Sequence, residues 1–149
     1  MKTFLAILAC SLLGAGCRPA GSEGDQAFYL QLVRGNDQEE PPTPGARPIG
    51  PRLSHQLHSV FRWRHYWELK RELVMIREGQ TVRRKLAFDR EVEVELLNPQ
   101  SMAARVYVNG KLAWNRKQPA EGAFFVAGAN KGPDQSWFIV VRRDQPVEP

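Results

Sequence analysis

Residues 91–97, EVEVELL, alternate between glutamate and an aliphatic side chain. A β-strand sends successive side chains to opposite faces, so Val92, Val94 and Leu96 share one side and Glu91, Glu93 and Glu95 the other. Such a segment needs a core on one face and water on the other, the situation of an antiparallel sheet. Further along, Asn109-Gly110 stands between two more apolar-alternating runs. A type I′ turn needs positive φ at both central positions, and Asn-Gly supplies it. The sequence therefore predicts a hairpin of residues 104–108 with 111–115.

Other strands follow from the same signals. Residues 27–34 (AFYLQLVR) put Phe28, Leu30 and Leu32 on one side, and 123–127 form a further short run. Residues 136–143 (SWFIVVRR) are apolar on both faces from 137 to 141, which places that strand inside its sheet. A second hairpin is expected around Glu78-Gly79. Pro51 opens a helix on which Leu53, Leu57, Val60 and Phe61 share a face, running to about Phe61. A strand over about 66–77 follows it. The predicted fold class is α+β, mostly β: a small antiparallel β-sandwich-like domain with one helix inserted after the first strand. The domain covers 26–144, with a proline-rich loop at 35–51 and a tail at 145–149.

The chain begins with Lys2, an apolar run over 4–13 (FLAILACSLL), then Gly14, Ala15, Gly16 and Cys17. Charge, short apolar segment and small residues are the parts of a secretory signal peptide. The run is half the roughly 20 residues that a membrane-spanning helix needs. The segment LGAGC resembles the lipobox of bacterial lipoproteins, with Leu13 one place further from the cysteine than the family pattern has it. The alternative is an ordinary secretory leader cut nearby. The resemblance implies cleavage after residue 16, acylation of Cys17, and attachment to the bacterial cell envelope through that lipid. Arg18 stands where an aspartate would favour the inner membrane, so the implied destination is the outer membrane, facing the periplasm. Residues 17–25 then read as a flexible tether. With Cys10 removed and Cys17 acylated, the mature chain has no thiol for a disulfide, a nucleophile or a metal.

The 149 residues carry 21 Lys+Arg against 16 Asp+Glu. Removing the leader takes only Lys2 from this balance. Basic residues concentrate between Arg52 and Arg90, and the stretch FRWRHYWELKR interleaves Arg62, Arg64, Lys70 and Arg71 with Phe61, Trp63, Tyr66 and Trp67. Arg62, Trp63, Arg64, Tyr66 and Trp67 are the candidate binding residues, because interleaved cations and aromatics serve phosphate pairing and base stacking, and are enriched in protein interfaces. The competing assignment puts the aromatics in the core and the arginines in water.

No catalytic pattern emerges. His55, His58 and His65 lack the spacing and partners of a zinc site. Ser54-His55 has no nucleophile elbow around it, no phosphate-binding loop motif is present, and the glutamates of 91–95 read as a solvated face. The sequence thus points to a non-enzymatic envelope lipoprotein without a cofactor or metal, which binds an envelope protein or stabilises an assembly. The alternative is a basic and aromatic surface for anionic envelope polymers (glycan, lipopolysaccharide) or nucleic acid, the last disfavoured by the compartment. A hydrolase or metal protein using His55 and His58 ranks below both.

Overall fold

The computed structural model describes residues 24–121 and 124–149. The leader, the lipobox and Cys17 lie outside the described residues, as do most of the tether and the start of the strand expected at 123. Nine strands and one helix follow in order: β1 Gln26–Asn36, β2 Arg47–Pro48, α1 Pro51–His58, β3 His65–Ile76, β4 Thr81–Ala87, β5 Arg90–Asn98, β6 Ser101–Val108, β7 Lys111–Pro119, β8 Phe125–Asn130 and β9 Gln135–Arg142. They form two antiparallel sheets, β2-β3-β1-β9-β8 (sheet A) and β4-β5-β6-β7 (sheet B). The expected mostly-β, sandwich-like fold with one short helix is the observed one, although the two-residue β2 stands between the first strand and α1.

The alternation at 91–97 builds sheet B as expected. Val92, Val94 and Leu96 are fully buried against Phe28, Leu30 and Leu32 of β1 and Ile139 and Val141 of β9. Each such side chain contributes about 1.5–3 kcal/mol by leaving water. The glutamates face outward, where Arg105 bonds Glu93 and Glu95 at 2.8 and 2.9 Å and Arg83 pairs with Glu91. Asn109 and Gly110 take φ of 51° and 76°, the left-handed turn that closes β6 on β7. β9 sits between β1 and β8, which explains why both its faces are apolar.

Three expectations need correction. No hairpin forms at Glu78-Gly79: β3 belongs to sheet A and β4 to sheet B, so residues 77–80 turn a corner between sheets. Gly79, at φ 76°, donates its N–H to Leu96 O at 2.7 Å and hooks the corner onto β5. The helix stops at His58, so Leu53 and Leu57 are buried while Val60 is 73% exposed. Phe61 still donates its N–H to Leu57 O and rests on Phe138, with ring centroids 4.6 Å apart. The proline-rich loop contains β2, which pairs Arg47 and Pro48 with Glu68 and Trp67 of β3.

The outer face of sheet A is covered unevenly. Near one end α1 packs on it, with Leu53 and Leu57 against Val33, Tyr66, Phe138 and Val140. Along the middle runs the C-terminal tail, with Pro146 buried and Val147 O pressed against Gly50. Beyond the tail, towards Gln26 and Ile76, Leu73 and Met75 stand 55% and 44% exposed.

Candidate functional site

The five candidate binding residues do not make one surface. A β-bulge at Leu69 reverses the facing of β3, because Leu32 pairs with Lys70 and Val33 with Glu68. Val74 and Ile76 therefore enter the core between the sheets, whereas Tyr66 joins Trp63 in the cluster under α1. Trp67 is buried and donates its indole N–H to Asn36 Oδ1 at 3.1 Å. Burial pushes the Tyr66 hydroxyl up to about 12, Asp37 adding to the rise and a hydrogen bond with the Trp63 backbone opposing it. Arg62 and Arg64 are exposed; the Arg62 guanidinium lies 4.4 Å from the Trp63 ring centroid and donates to Pro133 O at 2.7 Å. Trp63, Tyr66 and Trp67 are thus core residues and offer no stacking platform to a base or a sugar.

His58 is structural in its contacts. The two ring nitrogens of His58 face carbonyl oxygens, Nδ1 to Ser54 O at 2.8 Å and Nε2 to Arg64 O at 3.1 Å, and they tie the helix end to the next segment. Ser54 Oγ lies 3.1 Å from the same Nδ1, so its histidine neighbour is His58 and not His55. Among the described residues no group of three or more His, Cys, Asp or Glu could hold a metal ion. No described helix is long and apolar enough to cross a membrane.

Two ion clusters sit on the outer face of sheet A. Glu68, nearly all buried, accepts hydrogen bonds from Gln31, from Arg47 at 3.0 Å and from Arg71 at 2.9 Å. Glu148 of the tail closes over the two arginines at 3.6 and 3.2 Å. The second cluster joins Asp144 to Arg142 and, at 2.9 Å, to Arg52. Burial would raise the Asp144 carboxyl, but the Arg142 hydrogen bond and the charges of Arg142 and Arg52 hold it below the usual carboxylate value. A cavity of about 290 Å³ lies beside this cluster, lined by Gly50, Arg52, Leu53, Arg142, Asp144 and Val147. The first cluster balances two carboxylates against two arginines, whereas the second sets Asp144 against both Arg52 and Arg142 and keeps one positive charge in excess beside the cavity.

The sheet edges differ sharply. β4 is plugged: Lys70 Nζ donates to Lys85 O at 2.8 Å and Arg84 to Arg83 O at 2.9 Å, while Arg84 also pairs with Glu72. β7 is open. Eight of its nine residues pair with β6 alone, Ala113 being bulged out, and it is the longest edge strand among the described residues. Among the described residues no side chain donates to a β7 carbonyl, and Lys111, Arg116 and Lys117 have no acidic partner. Leu112 is 53% exposed beside them. The segment KLAWNRKQP held a signal for this, lysines and arginine on a hairpin's outer strand, which is how an edge is marked in sequence.

Compared with known proteins, the chain matches no family model, no curated protein and no solved structure.

Proposed function

We propose that the chain is a non-enzymatic, lipid-anchored envelope module that holds an extended, acidic segment of a partner protein along β7. The observation carrying this reading is the β7 edge, with its main chain open on one side and Lys111, Arg116 and Lys117 without an acidic partner among the described residues. A strand added to such an edge takes affinity from main-chain hydrogen bonds and specificity from side chains on alternate faces. Acidic residues on the incoming strand match the three cations, and Leu112 offers an apolar contact. Anchorage at Cys17 keeps the module at the membrane where such a partner is met.

The test places a photo-crosslinking residue at Leu112, and separately at Phe88, in the full lipidated protein in native envelopes. A discrete adduct from position 112, absent from 88 and abolished by Arg116→Glu with Lys117→Glu, is expected. No adduct, or one indifferent to both charge reversals, overturns the reading.

A further inference from the structure

We infer that the uncovered end of sheet A, formed by Ala27, Tyr29, Leu73 and Met75, is the face that lies on the lipid bilayer. This rests on the Cys17 anchorage in the proposed function and adds an orientation to it. The four residues form two cross-strand pairs, Leu73 with Tyr29 and Met75 with Ala27. Leu73 and Met75 are large apolar side chains more than 40% exposed on a sheet face that is covered elsewhere by α1 and the tail. Arg71 precedes them on the same face of β3 and Arg77 follows at the strand end, each bonded to carboxylates of this chain, Arg71 to Glu68 and Glu148 and Arg77 to Asp25. Exposed apolar side chains side by side on a sheet face suit the boundary between acyl chains and head groups.

Tether length selects the bilayer as occupant. Eight residues separate Cys17 from Gln26, which pairs with Ile76 at the foot of this face. Fully extended they span about 30 Å. The lipid therefore enters the membrane within one domain diameter of Met75, and the patch cannot leave its neighbourhood. The open β7 edge belongs to the other sheet and remains accessible in this orientation.

The experiment uses the full lipidated protein in vesicles of phosphatidylethanolamine with phosphatidylglycerol. Met75→Cys carries an environment-sensitive fluorophore, and Leu112→Cys is the comparison site; with Cys17 acylated neither competes with another thiol. The Met75 label is expected to show several-fold less quenching by iodide than the Leu112 label, and strong quenching by a nitroxide-bearing lipid. Equal iodide quenching at both sites in protein that floats with the vesicles overturns the orientation while leaving the anchorage standing. Protein that fails to float overturns both. Protection seen in native envelopes but not in protein-free vesicles assigns the face to a protein and overturns the bilayer.

Discussion

The indole Nε1 of Trp67 donates a hydrogen bond to the side-chain oxygen of Asn36 at 3.1 Å, and both residues are buried. The bond joins neighbouring strands of sheet A near their common end. Asn36→Ala leaves the indole N–H unpaired and is expected to cost about 1–3 kcal/mol. Adding Trp67→Phe to that variant should cost less than the same change in the parent, because the pair is already broken. Urea unfolding of the four proteins measures both effects.

Glu68 accepts from Gln31, Arg47 and Arg71 inside the fold. Its arginine partners are 54% and 24% exposed and regain water when the carboxylate goes, whereas the buried Gln31 amide loses its acceptor. Glu68→Ala is therefore expected to lower stability by about 1–3 kcal/mol. Arg47→Ala, at an arginine whose side chain is 54% exposed, should cost far less. Denaturant midpoints of the two variants should rank in that order, and the reverse order would show that the network stands without its carboxylate.

Gly35 lies under Trp63. A Cβ at this position falls 2.6 Å from the indole Cδ1 and 2.9 Å from Cγ. The indole is itself buried, with the Arg62 guanidinium 4.4 Å from its ring centroid. Gly35→Ala is expected to destabilise by about 1–3 kcal/mol through overpacking. Thermal unfolding reads this as a lowered midpoint, whereas Gly45→Ser, in open space, tests only the cost of its positive φ.

Asp144 has a folded-state pKa below its ordinary value, set by Arg142 and Arg52 against the opposing effect of burial. A depressed carboxylate stabilises the fold fully above its unfolded value of about 3.9, and that contribution fades as pH falls through the lower folded value. Asp144→Asn should thus be less stable than the parent at neutral pH, and the gap should close below about pH 4. A pH series of urea titrations checks this; a gap that persists in acid would mean that the contacts are steric and not ionic.

Legibility in the sequence followed locality. The alternation of Val92, Val94 and Leu96 and the Asn109-Gly110 turn are short-range signals, and both specify what is observed. Gly79 also marks a turn, but turn chemistry states only that the chain bends; Leu96 O, far along the chain, decides that it bends into the other sheet. β3 was hard to read because the bulge at Leu69 makes Tyr66 and Val74, both at even positions, face opposite ways. The aromatic–basic stretch misleads for the same reason. Composition shows what residues 61–71 carry, whereas the bulge and Gly35 decide where each ring goes. The β7 edge is marked in sequence only by the lysines and arginine on a hairpin's outer strand, while the absence of a further described partner strand is decided by the rest of the fold.

Sheet B is a meander of consecutive strands, whereas sheet A takes β1 to β3 from the beginning of the domain and β8 and β9 from its close. A ribosome delivers these in order. The meander can zip along neighbours as they emerge, but β1 keeps one flank bare until β9 arrives, more than a hundred residues after β1 begins. Truncation before Gln135 therefore does more than shorten the product: it strands an apolar seam through the middle of the molecule, and such fragments should clump instead of folding smaller.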